Sequence, residues 1–188
     1  MRELAFDKEL ITSKAMRRAV GISVFVLLTC FGAFLKIPLP FSPVPITLQT
    51  FFVLLSGAFL GGFGLLSQAS YILLGVFGLP IFAGAGSGIF YLFGPTGGYL
   101  FGFLLAALLI SRLIKYSGNH FLRIFVVFCL GDLVLLSCGV IWLRVLLGYP
   151  LKKLLLIGFI PFIPGELLKI FAAAIIYLRL KTRLKEIF

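Results

Sequence analysis

No ionisable side chain interrupts the sequence from Ile37 to Ser111, a run of 75 residues. One helical membrane crossing needs about 20 apolar residues, so the run predicts three crossings with their loops. Glycine and proline mark where to divide it. Pro38, Pro40, Pro43 and Pro45 fall within ten residues, a density at which a helix cannot continue. Gly61, Gly62 and Gly64 read as a tight turn, Gly78 and Pro80 end a helix, and Gly94, Pro95, Gly97 and Gly98 precede the next. Six spans follow along the whole chain: Arg18–Leu35, Thr47–Leu60, Gly64–Phe77, Gly97–Ile114, Phe121–Leu143 and Pro164–Leu180. The second and third are short. The stretch Lys152–Ile160 is apolar but brief and opens on two lysines, which suits a surface helix or a re-entrant approach to the last span.

Composition turns this pattern into a class. Of 188 residues, 61% are hydrophobic and only 12% charged, with a mean hydropathy of +1.18. A soluble domain is about a quarter charged, so the expected class is an all-α integral membrane protein. The formal charge of +11 does not point to nucleic acid, because so apolar a chain has no solvated basic face to offer. It marks orientation instead, since cytoplasmic loops collect Lys and Arg. With the N-terminus inside, twelve cations fall on the inner side and four on the outer (Lys36, Arg144, Lys152 and Lys153), leaving Lys169 within a span. Both termini are therefore expected in the cytoplasm of a multi-pass protein of the cell membrane. Residues 1–17 read as a cytoplasmic arm without signal-peptide character, residues 18–180 as the membrane domain, and residues 181–188 as a basic tail.

Ionisable groups inside the spans are the candidate chemistry, because each is expensive in hydrocarbon. Glu166 and Lys169 follow Pro164, and their i, i+3 spacing puts both on one helix face. Lys169 lies about 8 Å along the axis from Pro164, in the outer third of the membrane. The two residues read either as a structural ion pair or as the wall of a ligand pocket open to the outside. Asp132 stands mid-span with no cation at helical spacing. It is left to pair across helices, to hold a proton, or to line a cavity. Uncharged polar residues also gather: Thr47, Gln49 and Thr50, then Gln68, Ser70 and Tyr71, then Ser87, Tyr91, Thr96 and Tyr99. In hydrocarbon each needs a partner, and Gln49, Gln68, Tyr91 and Tyr99 are carried forward as candidate ligand contacts. Ala15, Ala19 and Ser23 repeat small residues every fourth position, and Gly57, Gly61 and Gly64 gather at the second turn, which allows close helix packing. A single His and three Cys offer no multi-ligand metal site, no nucleophile–base arrangement emerges, and the glycine-rich loops lack the Lys-Ser/Thr of a phosphate-binding loop. Neither a catalytic residue nor a cofactor is expected. An intramembrane lipid acyltransferase, as a rival reading, would need several cations and an acid–base pair on one membrane face, and only Lys169 lies inside the helices.

Five blocks in order carry a family likeness. They are Ile37–Gly57, Gln68 with Tyr71–Gly84, Gly94–Phe103, Gly139–Leu143 and Phe162–Lys169. Together they resemble the biotin-specific substrate-binding subunit, BioY, of energy-coupling factor transporters, over about Arg18–Leu180. The resemblance implies a six-helix S component that binds biotin near the outer face. It also implies a transmembrane coupling protein and two cytoplasmic ATPase subunits as partners. In the family the acid-x-x-Lys of the last helix contributes to the biotin site; here the acid is Glu166, where Asp is more usual. A polar residue in the loop before Gly-Pro-Thr-Gly-Gly also contacts the ligand, and Ser87 is the nearest match. The small-residue face at Ala15, Ala19 and Ser23 is where such subunits dock the coupling protein. The same scaffold binding another vitamin or a small carboxylate is the nearest alternative.

Overall fold

The computed structural model describes residues 14–185, with side chains from 15 to 182. The chain opens with α1 (Lys14–Phe34) and a two-residue hairpin, β1 (Lys36–Ile37) and β2 (Ile46–Thr47). Next come α2 (Gln49–Leu60), α3 (Phe63–Val76) and the single turn α4 (Ile89–Leu92). Then follow α5 (Gly97–Leu113), α6 (Phe121–Leu147), α7 (Leu151–Gly158) and α8 (Ile163–Lys185). Short 3-10 turns extend α5 over Ile114–Tyr116 and join α7 to α8 over Ile160–Phe162.

Each expected span is a helix. Four apolar stretches are long enough to cross a membrane: Ala15–Phe34, Gly97–Tyr116, Phe121–Leu147 and Leu151–Thr182. Several such helices make this a multi-pass membrane protein. The second and third spans form the hairpin α2–α3, whose arms rise about 18 Å and 21 Å at 1.5 Å per residue, less than the roughly 30 Å of a hydrocarbon core. Three helices run past their expected bounds. Helix α1 begins at Lys14, so the last residues assigned to the N-terminal arm are already helical, while residues 1–13 lie outside the described part. At the other end α8 runs through the start of the basic tail to Lys185. Helix α6 passes Leu143 and stops at Gly148, which takes φ +65° and donates its N–H to the Arg144 carbonyl. This left-handed residue is the glycine stop expected at a helix C-terminus.

Prolines shape the first loop. Four of them bar a helix, and the chain instead returns through the β1–β2 pairing of Lys36 with Thr47 and Ile37 with Ile46. Leu48 then donates its N–H to the carbonyls of Gly32 and Leu35, which sets the start of α2 level with the end of α1. A Cβ on Gly32 would lie 2.8 Å from the Gln49 nitrogen.

The interior divides into two layers. One, towards the loops at the α2 start, gathers Tyr71, Phe82, Tyr99, Phe103, Leu135 and Phe162. The other gathers Leu54, Ile110, Ile124, Phe128, Ile170 and Tyr177 at the opposite end. Large apolar residues also cover the outside, among them Leu27, Phe101, Ile141 and Leu168, more than half exposed. Such a surface is stable only in lipid. Glycines set how closely the helices approach. A Cβ on Gly57 of α2 would sit 2.7 Å from the Ala107 carbonyl oxygen of α5, and one on Gly102 would sit 2.8 Å from that of Leu135 on α6. Gly64 packs on Ser56 and Gly57 in the same manner, whereas Gly61 meets nothing within 4 Å and serves the turn through its φ of +57°. Ala15, Ala19 and Ser23 are all exposed, so their small-residue face is unused by the fold.

A Gly57→Val or Gly102→Val substitution must push two backbones apart. Each is expected to destabilise the protein by about 1–3 kcal/mol, the usual range for overpacking. The measurement is thermal melting of the detergent-purified protein.

Candidate functional site

Pro164 suits the first turn of α8, where its missing N–H is not needed. That turn brings Glu166 and Lys169 beside the start of α2. Lys169 Nζ donates to Glu166 Oε1 at 2.5 Å, to Thr50 Oγ1 at 2.7 Å and to the Thr47 carbonyl at 2.8 Å. The Thr50 hydroxyl donates in turn to Glu166 Oε2 at 2.8 Å. All three ammonium protons and both carboxylate oxygens thereby have partners within the protein. Glu166 is only 3% exposed and the Lys169 side chain 10%. In hydrocarbon such a charge pair persists only when every proton and lone pair is answered. Asp132 of α6 faces the pair from across the bundle, against the Glu166 carboxyl group, and its Oδ1 has no hydrogen-bond partner.

Glu166 forms part of the wall of a small internal cavity of about 40 Å³. Thr47, Gln49 and Thr50 supply further polar groups; Tyr91, Tyr99, Phe103, Leu135, Leu136 and Phe162 supply most of the apolar lining. Since one water needs about 10–15 Å³ on this measure, there is room for a few waters. An outer vestibule of about 350 Å³ adjoins it and shares Pro45, Ala83, Tyr91 and Thr96 with it. Lys36, Pro38, Pro43 and Pro45 of the first loop line the vestibule.

The polar side chains in this wall are held in fixed directions. Gln49 Nε2 donates to the Tyr71 hydroxyl at 2.5 Å, and that hydroxyl donates to the Ile81 carbonyl at 3.0 Å. Tyr91 donates to the Ala83 carbonyl at 3.0 Å, and Tyr99 to that of Gly158 at 2.6 Å. Tyr91 also stacks on Phe82, with ring centroids 4.7 Å apart.

Glu166, Gln49, Tyr91 and Tyr99 meet at one cavity. Three residues sit elsewhere. Lys169 stands behind Glu166, turned to Thr47 and Thr50, and is not in the cavity lining. Gln68 is fully buried and does not line it either. Its amide donates to Ser56 at 3.0 Å and Thr29 at 3.4 Å, and its Oε1 has no partner. The next turn of the same helix carries Tyr71 towards the site, and Gln68 faces α1 and α2 instead. Ser87 is exposed on the loop and also lies outside the lining. Phe82 pairs with Gly86 across a tight turn in which Ala85 takes φ +60°, and this brings Ala83 rather than Ser87 inwards. Thr47, Thr50 and Thr96 belong to the polar clusters of the sequence, yet only their geometry singles them out. Phe103, Leu135 and Leu136 carry no signal, being apolar residues within apolar helices.

A profile of the BioY family matches residues 5–186. The chain belongs to the BioY family. Among similar proteins is the biotin transporter BioY of Thermotoga maritima, 41% identical over 174 residues, covering 88% of this chain and 96% of that one. A probable biotin transporter BioY of Pyrococcus horikoshii is 38% identical, covering 85% and 93%. The crystal structure of an S-component for biotin from an ECF-type ABC transporter superposes with a TM-score of 0.84 at 29% identity, over 91% of this chain and 94% of that one.

Replacing Thr50 by Val removes a partner from both Glu166 and Lys169 while keeping the side chain's shape. A loss of about 1–3 kcal/mol in stability is expected, the penalty of leaving buried polar groups unsatisfied. Thermal melting checks it, and Thr50→Ser, which restores the hydroxyl, is expected to recover most of the loss.

Proposed function

We propose that this chain is the biotin-binding subunit of a vitamin uptake system, driven by ATP hydrolysis in partner subunits. The observation that carries the reading is the Glu166 carboxylate, ion-paired to Lys169 and set in an otherwise mostly aromatic and aliphatic cavity wall. Biotin has the matching chemistry. Its ureido group offers two N–H donors and a carbonyl acceptor, its fused ring is apolar, and its tail ends in a carboxylate. Glu166 accepts from the ureido N–H groups, and Lys169 holds that carboxylate in direction or turns one of its protons to the ligand. Tyr91, Tyr99 and Phe103 bury the ring. The Thermotoga maritima relative is a biotin transporter and the superposed crystal structure is an S-component for biotin, which supports the choice among vitamins.

A cavity of about 40 Å³ is below the roughly 300 Å³ at which small-molecule pockets begin. The ligand therefore passes through the vestibule, and the shared residues Pro45, Ala83, Tyr91 and Thr96 move to admit it. In the proposed orientation six helices cross the membrane, α2 and α3 included, with the vestibule outside and both termini in the cytoplasm. The exposed face of Ala15, Ala19 and Ser23 on α1 is the contact for a transmembrane coupling protein, and two ATPase subunits complete the assembly. The chain itself acts as a binding subunit and not as an enzyme.

Isothermal titration of the purified chain against a vitamin panel tests the ligand. Biotin is expected to bind, and Lys169→Ala to weaken it by about 2–5 kcal/mol, the range for truncating one partner of a buried charge pair. Biotin affinity unchanged in that variant would remove Lys169 from the site, and tighter binding of another vitamin would replace the ligand. Cysteine labelling tests the orientation, in a chain with Cys30, Cys129 and Cys138 replaced by Ala. A membrane-impermeant maleimide added to intact cells is expected to modify Ser87→Cys and to spare Asn119→Cys until the cells are opened.

A further inference from the structure

We propose that the end of the bundle opposite the ligand cavity holds a binding site for the phosphate headgroup of an anionic phospholipid. The α2–α3 hairpin creates it. Because α2 starts level with the end of α1 and is only 12 residues long, its tip at Gly61–Gly62 stops beside Arg18. Helix α1 continues past that level to Lys14, and α8 continues past Tyr177 to Lys185. Beneath the tip lies a recess of about 450 Å³, within the range that holds small ligands.

Its walls are amphipathic. The floor is Ala58, Phe59, Leu60, Phe63, Ile114 and Tyr177, with the Phe59 and Tyr177 rings 5.1 Å apart. The rim carries Arg18, Lys115 and Lys181, with Ser111, Asn119 and Thr182 between them. No acid lines it, and the two acids among the described residues, Asp132 and Glu166, lie elsewhere in the bundle. Arg18 lies over the Phe63 ring at 4.8 Å and Lys115 over Tyr116 at 5.0 Å, so both cations are braced on aromatic faces with donors left to use. Lys181 donates to the Gly118 carbonyl at 2.6 Å and ties the α5–α6 loop to the rim.

Three cations at the lip of an apolar recess favour an amphiphile with a negative head over a free ion. A phosphate would take charge-assisted hydrogen bonds from Arg18 and Lys115, and its acyl chains would cover the aromatic floor. Basic pockets between membrane helices bind such headgroups, each cation near the surface contributing about 1 kcal/mol. This inference does not depend on the identity of the transported ligand.

Native mass spectrometry of the detergent-purified full chain provides the test, titrated with phosphatidylglycerol and, separately, with phosphatidylcholine. Phosphatidylglycerol is expected to bind more tightly, and added salt to weaken it. The double variant Arg18→Gln, Lys115→Gln is expected to bind it about 30-fold more weakly, with an unchanged thermal melting temperature as the check that the bundle is folded. A Phe63→Leu variant, which keeps both cations and loses one aromatic brace, is expected to fall between the two. Equal binding of the two lipids, or phosphatidylglycerol binding that survives the double variant, would overturn the proposal. So would glycerol phosphate competing as well as the lipid, which would make the recess a site for free phosphate. Binding that develops only when residues 1–13 are removed would assign the recess to the chain's own N-terminal segment, which carries Glu3, Asp7 and Glu9. A double variant that keeps the lipid but no longer co-purifies with the coupling protein would assign it to that partner.

Discussion

A charged pair held in hydrocarbon is the constraint around which the cavity end of this bundle is arranged. Lys169 and Glu166 are tolerable there only because Thr50 and the Thr47 carbonyl complete their hydrogen bonding. Those partners come from the start of α2, so α8 and α2 must meet at one level. The proline loop and the small β1–β2 hairpin deliver Thr47 to that level, and Gly32 lets α2 begin in contact with α1. The loop chemistry, the short second helix and the buried ion pair are therefore one arrangement: displacing any of them strands a charge where water cannot reach it.

Much of the helix order was legible because glycine and proline act through the backbone, whatever surrounds them. The ends of α2, α3 and α5 fall within a few residues of the positions that Gly61, Gly78 and Gly97 suggest. Lys169 stood out for a different reason: a cation in an apolar helix needs an explanation in any fold. The reach of α6 to Leu147 was less visible, since the basic Arg144 looks like an end and is instead a last-turn residue at the negative pole of the helix.

The composition of the site was only partly legible, and Gln49 and Gln68 show why. Both are glutamines on short apolar helices, both buried, and nothing in the one-dimensional pattern separates them. Their difference is rotational. Gln49 turns to Tyr71 and the cavity, whereas Gln68 turns to Thr29 and Ser56 in the layer behind. Ser87 lies exposed on its loop, two residues past the positive φ of Ala85. The aromatic and aliphatic part of the wall could not be read at all, since in a membrane protein an apolar residue has equal reason to face lipid, core or ligand.

The small volume beside Glu166 has a consequence for rates. A molecule larger than a few waters finds its site assembled but filled in, so it must wait for a conformer in which Tyr91 and its neighbours have withdrawn. The observed affinity is then the intrinsic affinity multiplied by the fraction of time spent in that conformer. If that fraction is about one in a hundred, the apparent dissociation constant is raised about a hundredfold. Association runs below the collision limit by the same factor, while dissociation keeps its intrinsic rate. Loosening Tyr91 and its neighbours would then raise the association rate and the apparent affinity together.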